Sequence, residues 1–260
     1  MIRRQLITGL GVVVVMTLTL GLVYPLVVTG FAQVAFHNKA NDSLVKVNGK
    51  VVGSSLIGQS FTDKDGNPIA KYFQSRPSAA GSGYDASVSS ASNLGPSNAN
   101  LIGNIPGVAI GDNGKPITSN PYATPADPYC VPVQSTDKAG NDITDKAGNA
   151  VYDKNKDGTY VCNSSTVPER VLAFRALNGL GKNVKVPVDA VTASASGLDP
   201  DISIANADLQ APRVAKARHL PLATVMAQVK AHTDGRSLGF LGEKAVNVLE
   251  LNLALDKLGR

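Results

Sequence analysis

The hydrophobic positions of the chain begin with one long N-terminal segment, which predicts a membrane-spanning helix. No charged residue occurs from Leu6 to Phe36, and most positions between them are aliphatic. About 20 apolar residues cross the hydrocarbon core of a bilayer, so this segment can span it with some tilt. A cleaved secretory signal is the alternative, with Gly30-Phe31-Ala32 as its cleavage site. The apolar part of such a signal is usually about 7–15 residues long, which favours a retained anchor here.

Two arginines in front of the apolar segment predict its orientation. Arg3 and Arg4 precede every acidic residue of the chain, and positively charged flanks stay on the cytoplasmic side of a membrane. We therefore expect a cytoplasmic tail at 1–5, a transmembrane anchor at 6–36 and an extracytoplasmic domain at 37–260. The protein would be a single-pass component of the cell inner or plasma membrane. Pro25 is expected to kink the helix.

The residues after the anchor predict a mixed α+β domain. Residues 38–101 are rich in Gly, Ser and Asn, and their short apolar runs are typical of strands and loops. These runs are Val51-Val52, Leu56-Ile57 and Tyr72-Phe73. Residues 187–201 start like a strand and continue as a polar loop.

The C-terminal zone has a helical pattern. The capping box Thr166-Val167-Pro168-Glu169 predicts a helix that ends at Asn178-Gly179. A second apolar stripe starts at Leu222 and stops near Asp234-Gly235. Residues 246–258 alternate like a strand at first, but their leucines share one helical face, which favours a helix.

An internal repeat marks the middle of the chain. The unit at 136–143 is followed at once by a second at 144–151 and a looser one at 152–160, and 62–69 echoes them. Each unit places Asp, Gly and Asn between apolar or β-branched residues, as tight hairpin turns require. The repeat predicts a small β-meander within an insertion at 103–165.

A calcium loop is a weaker interpretation of the third unit. Asp153, Asn155 and Asp157 alternate as oxygen ligands would, and Gly158 follows. Ser164 occupies the twelfth position, where a bidentate acid is expected, so a plain turn is favoured.

Two cysteines, Cys130 and Cys162, bracket the repeat. They are the only cysteines of the chain, and a disulfide is their natural use in an exported domain. Closing this loop would stabilise the fold by about 3 kcal/mol.

Charge and motif content exclude several functions. Without Arg3 and Arg4 the formal balance is 23 basic to 20 acidic side chains, with no Lys/Arg run, so a nucleic-acid surface is not expected. The three histidines lack ligand spacing, and neither a Gly-x-Ser-x-Gly elbow nor a Walker motif occurs. We expect no resident metal and no independent enzyme. A membrane-anchored binding or structural module unrelated to transport stays open.

Several ordered strings resemble the C-subunit family of the bacterial Kdp potassium-transporting P-type ATPases. The resemblance covers the anchor, about 51–101 and about 167 to the end. The strings are Gly53–Gln59, Tyr72–Ala79, Ser92–Asn98, Pro187–Asp201, Arg213–Arg218 and Asn247–Leu255.

The resemblance implies an accessory subunit of a high-affinity potassium uptake pump, which works with an ion-conducting A, an ATP-hydrolysing B and a small F subunit. Such a subunit is needed for assembly and acts as a catalytic chaperone that raises the ATP affinity of the B subunit. It has no cofactor of its own, since potassium and Mg-ATP are handled by the complex.

The resemblance also suggests contact residues. Nucleotide or partner contact would fall on Ser89, Ser90, Ser92 and Asn93, although Ala91 replaces the usual glycine there. The partner surface would include Gln59, Arg76, Asn98, Asp189 and Asp199. The predicted orientation puts all of these outside the membrane, whereas ATP is inside, so assembly and coupling roles rank above direct ATP contact.

Overall fold

A computed structural model describes residues 2–41, 43–95, 98–102, 130–163 and 166–258. The chain divides into two compact units, Met1–Leu56 and Ile57–Arg260. The N-terminal part of the predicted insertion, 103–129, lies outside the described residues. Helices and short antiparallel strands occur together, which confirms the predicted mixed class.

The first unit begins with one long apolar helix. Its segments are α1 (Ile2–Leu18), a π-helical turn (Thr19–Val23) and α2 (Tyr24–Ala35). The whole run has 34 residues and a mean hydropathy of 2.4 over its most apolar window, and none of that window is buried. At 1.5 Å per residue the helix is about 50 Å long, more than a bilayer core needs. It is a candidate membrane span, as predicted.

Pro25 explains the π-helical turn. The proline ring has no N–H and would collide with the carbonyl of the preceding turn of a regular helix. The turn just before it is widened, and the Tyr24 N–H donates to the Thr19 carbonyl, five residues back. The helix therefore accommodates the proline by a local change of hydrogen-bond register.

A helical turn α3 (His37–Ala40) and a hairpin complete this unit. Strands β1 (Leu44–Val47) and β2 (Lys50–Ser54) pair antiparallel around Asn48-Gly49, both at positive φ. Of the three apolar runs predicted as strands, Val51-Val52 alone forms one. Leu56-Ile57 and Tyr72-Phe73 lie outside the strands, and Phe73 is instead fully buried in the core.

The second unit contains α4 (Ala99–Ile102) and four longer helices around a small sheet. Helix α5 (Val167–Asn178) starts at Thr166, whose hydroxyl accepts from the Glu169 N–H, and ends at left-handed Gly179. Helices α7 (Leu222–Ala231) and α8 (Val248–Leu258) also form where the sequence predicts them.

Helix α6 and the sheet were not predicted. Helix α6 (Ile204–Arg218) holds Pro212 in its interior. Strands β3 (Asp201–Ser203), β4 (Thr233–Asp234) and β5 (Ala245–Asn247) form an antiparallel sheet in the order β3-β5-β4. The strand expected from residue 187 is wrong, because Val188–Ala190 form a 3-10 turn. The core lies between α6, α7, α8 and this sheet, around Val214, Val246 and Leu251.

The repeat segment forms turns joined by isolated bridges, rather than the regular strands of a meander. In the first sequence repeat, 136–143, the Asp137 carboxylate accepts from the backbone N–H groups of Ala139 and Asn141, and Gly140 has φ +85°. In the second sequence repeat, 144–151, the Asp145 carboxylate accepts in the same way from Ala147 and Asn149.

The backbone of the repeats closes on itself twice. Ile143 N–H donates to Ser135, Val151 to Ile143 and Ser135 to Val151, at 2.8–3.1 Å. A second ring of three bonds joins residues 133, 153 and 161. Cys130 and Cys162 form the expected disulfide at the base.

Candidate functional site

The candidate partner residues Arg76 and Asp199 meet in the folded domain. Their side chains are 123 residues apart in sequence and form an ion pair, with 2.9 Å from Arg76 Nη1 to Asp199 Oδ2. The side chains are 23% and 30% exposed, so the pair is reachable from solvent. Tyr84 packs beside it and donates its hydroxyl to the Arg76 carbonyl at 2.8 Å. Burial raises the pKa of Tyr84 to about 12, so it is a neutral donor.

Gln59 reaches the same region through its backbone. The Ser75 hydroxyl donates to the Gln59 carbonyl at 2.9 Å, and the Gly58 N–H donates to Leu198 at 2.8 Å. A Cβ at Gly58 would lie 2.6 Å from the Asp199 carbonyl and would also meet the Tyr84 ring. This close packing of three distant segments requires glycine at position 58.

Asp189 supports the start of α6. Its carboxylate accepts from the N–H and hydroxyl of Ser203, at 2.8 and 2.9 Å, and from the Asn206 side-chain amide at 3.0 Å. Ser203 in turn caps α6 through the Asn206 N–H. A carboxylate is also favourable at the positive end of a helix. These contacts give Asp189 a structural role inside the domain.

The segment from Ser89 to Asn93, called the serine loop below, lies against the turn at Ser196-Gly197. The Ser89 hydroxyl and the Ser90 N–H both donate to the Ser196 carbonyl at 3.0 Å. Gly197 has φ +69°, and a Cβ there would lie 2.5 Å from the Ser90 carbonyl. Ser92 and Asn93 are exposed, and Asn93 adopts a left-handed conformation.

Asn98, another of the predicted partner residues, lies immediately before helix α4. Its carbonyl accepts from the N–H groups of Leu101 and Ile102 at the start of α4. The neighbouring Pro96 and Ser97 lie outside the described residues.

A cavity of about 420 Å³ opens beside the ion pair. Gln59, Arg76 and Tyr84 line one side, and Arg170 and Phe174 of α5 line the other. Burial lowers the pKa of Arg170, which donates to the Val191 carbonyl at 3.1 Å. The cavity wall is mostly apolar.

A ladder of buried amides beneath the cavity was missed by the sequence analysis. Gln210 pairs with both backbone groups of Gln74, at 2.7 and 3.0 Å, and Asn252 does the same for Phe73, at 2.8 and 2.9 Å. Both amide side chains are 1% exposed. They replace the neighbouring strands that an extended segment would otherwise need. The sequence does carry a signal for these two residues, because Gln210 and Asn252 each lie among the apolar positions of the buried face of a helix.

Burial shifts the pKa of two further charged groups in this unit, Asp201 and Arg213. Burial raises the pKa of Asp201 to about 6, and the charges of Asp199 and Asp234 add to this effect. One Asp201 oxygen is buried without a hydrogen-bond partner. Burial also disfavours the charged form of Arg213, and because this group is a base its pKa is lowered, to about 10.

The weaker calcium interpretation falls on side chains engaged in local bonds. Asp153 accepts from the Ser135 hydroxyl, Asp157 from the N–H and hydroxyl of Thr159, and the Asn155 amide donates to Thr159. Within the described part of the chain, no three His, Cys, Asp or Glu residues gather as metal ligands.

Comparison with known proteins decides the family. The family model of KdpC, described as the K⁺-transporting ATPase c chain, matches residues 6–127 and 139–257. The chain belongs to the KdpC family. It is therefore a subunit of a potassium-transporting ATPase and is associated with the membrane, which favours transport over an unrelated anchored module. The family match leaves 128–138 uncovered, inside the predicted insertion.

Curated relatives agree over nearly the whole chain. A protein of Mycobacterium tuberculosis (strain H37Rv) named potassium-transporting ATPase KdpC subunit is 42% identical over 256 residues, 98% of this chain and 100% of its own length. The protein of the same name from Koribacter versatilis is 39% identical over 254 residues, which are 98% of this chain and 95% of the relative. That of Caulobacter vibrioides is 42% identical over 241 residues, 92% and 86%.

Proposed function

We propose that this chain is the non-catalytic accessory subunit that holds the potassium pump together and raises the ATP affinity of its B subunit without contacting ATP. The anchor helix packs against membrane partners of the A, B and F type. The domain lies outside the membrane and braces the ion-conducting subunit. The effect on ATP affinity then passes through the anchor and the assembled complex.

The fold of the serine loop is the observation that carries this proposal. Ser89 and Ser90 are bonded to the Ser196 carbonyl, next to the Arg76–Asp199 pair. A loop committed to its own domain is suited to shaping a protein surface. Phosphate binding would instead favour backbone N–H groups aimed together at a ligand, as in glycine-rich loops.

The anchor supports a coupling role of the helix. No Asp, Glu, Lys, Arg or His occurs from Leu6 to Phe36, so the helix carries no charged side chain that could hold or relay potassium within the bilayer. Gly9 and Gly11 leave open space on the helix, where a second helix can approach closely. Ion selection is therefore assigned to the partner subunits.

Reconstituted pump with and without this subunit tests the mechanism. We expect the isolated chain to hydrolyse no ATP and the pump to lose potassium-stimulated hydrolysis without it. Gly9→Leu/Gly11→Leu should lower assembly and hydrolysis together, whereas Ser92→Ala/Asn93→Ala should change neither. A large rise in the ATP requirement of the fully assembled Ser92/Asn93 variant would establish nucleotide contact and overturn the proposal.

Protease added to intact spheroplasts tests the orientation. An extracytoplasmic domain is digested directly, while a cytoplasmic one survives until detergent is added. The second result would reverse the assignment made from Arg3 and Arg4.

A further inference from the structure

The connection between β4 and β5 ends in an apolar tip, Leu238-Gly239-Phe240-Leu241. Leu238 is 82% exposed, Phe240 70% and Leu241 50%. The tip is ordered by its own backbone, since Ser237 and Leu241 exchange N–H···O bonds of 2.9 Å in both directions. Arg236 and Glu243 close its base with an ion pair of 2.9 Å. A fixed hairpin therefore presents large apolar side chains to solvent.

Leu238 breaks the local rule for its turn. Within the tip, the Phe240 N–H donates to the Ser237 carbonyl at 3.3 Å, which closes a four-residue turn. Leu238 and Gly239 are its two central residues and have φ +54° and +83°. Turns with two positive φ values favour Asn, Asp or Gly at the first position. A leucine there costs about 1 kcal/mol. A costly conformation that leaves an apolar side chain 82% exposed among the described residues points to a use outside the fold of the domain.

We infer that this tip docks into an apolar recess of another subunit of the ATPase. The inference rests on the proposed function, because it needs the chain to be assembled with its pump partners. A rigid, shaped tip with a leucine and an aromatic ring suits a protein pocket, where a few buried apolar anchors carry most of the binding energy.

The charges favour a protein recess over a lipid surface. Residues 234–244 contain two acidic and two basic side chains, so the hairpin has no net charge. Attachment to an anionic bilayer uses clusters of Lys and Arg, each contributing about 1 kcal/mol. Lipid insertion also has no need for a strained, fixed backbone. Lipid and a second copy of this chain are kept as contrary outcomes of the test.

Site-directed photocross-linking in the assembled, membrane-embedded pump tests the inference. Phe240 is replaced by p-benzoyl-phenylalanine, and Val188, which is 72% exposed on a different loop, carries the same label as control. We expect the label at 240 to link the chain to one other pump subunit and the label at 188 to give no such product. Products with phospholipid alone, products with a second copy alone, or no product would each overturn the inference.

A variant that improves the turn separates docking from folding. Leu238→Asn suits the positive φ, so the domain should unfold at the same or a higher temperature. Combined with Phe240→Ser, it should lower co-purification of the other subunits about tenfold or more, while Val188→Asn should not. Normal assembly of the double variant would refute the docking role alone. Failure of the wild-type chain to co-purify with pump subunits would instead contradict the proposed function.

Discussion

The repeat segment at 130–163 and the helical core around α6 satisfy their backbone polar groups in opposite ways. In the first two repeats, Asp137 and Asp145 each accept from the N–H groups two and four residues ahead. In the core, Gln210 and Asn252 reach backbone groups 136 and 179 residues away. The first arrangement is local and exposed, and the second is long-range and buried. We expect damage in the core to spread through the domain, and damage in a repeat to stay there.

The largest effect is expected from Asn252→Leu, which attacks the long-range pattern. The variant leaves the buried N–H and carbonyl of Phe73 unpaired, at a cost of about 3 kcal/mol in the free energy of unfolding. Thermal or urea unfolding of the full chain in detergent measures this. Asn183→Leu, at an exposed position, is the matched control and should be nearly neutral. Equal unfolding midpoints for both variants would show that the amide ladder is dispensable.

The same contrast explains what sequence could predict. Helices α5, α7 and α8 follow from caps and apolar stripes, and the repeat turns follow from Asp, Asn and Gly at fixed spacing. These signals act over a few residues. The predicted strand at Tyr72-Phe73 failed because side chains from α6 and α8 take the place of neighbouring strands.

Helix α6 escaped prediction for a related reason. Its alanine-rich sequence carries Pro212 in its interior, and its buried face includes Asn206 and Gln210, which read as polar positions. Tertiary hydrogen bonds make these residues core residues. In the site, the resemblance supplied Arg76 and Asp199 as separate positions, but only folding pairs them. The turn at Leu238 could not be predicted from the sequence, because leucine rarely adopts a positive φ and so does not indicate one.

Gly197→Ala is expected to have the next largest effect. The residue has φ +69°, and a Cβ would press on the Ser90 carbonyl and on buried Ala80. We expect a loss of about 2 kcal/mol and faster hydrogen exchange at the Ser90 amide. Gly181→Ala is the control, because a Cβ there meets nothing within 4 Å. A neutral Gly197→Ala would mean that the serine loop is not held against this turn.

Asp201→Asn examines a half-buried carboxyl on strand β3, beside the core, and should have a smaller and pH-dependent effect. The folded-state pKa is about 6 against an ordinary 3.8, so the folded domain binds the proton more tightly than the unfolded chain. Wild-type stability from this group therefore falls as pH rises from about 4 to 6. The variant should gain about 1 kcal/mol over wild type at pH 8, with solvent screening allowed for, and little at pH 4. A pH-independent difference would contradict this.

Asp137→Ala sharpens the comparison from the other side and should have the smallest effect. Hydrogen bonds from Asn141 lower the pKa of Asp137, the opposite of Asp201. Its contribution is present above pH 3.8 and is lost as pH falls through the lowered folded-state pKa. Hydrogen exchange at the Ala139 and Asn141 amides should speed up, while the unfolding midpoint of the domain stays unchanged.

Asp145→Ala tests the same effect in the second sequence repeat, because Asp145 accepts the equivalent bonds from Ala147 and Asn149. It should free the amides of Ala147 and Asn149 and leave the first turn protected. Asp142→Ala, which lies outside both sets of bonds, should free neither pair. If loss of Asp137 also exposed the second turn or lowered the unfolding midpoint, the two closed backbone rings would couple the repeats. The segment would then behave as one cooperative body like the core, and the contrast between local and long-range regions would fail.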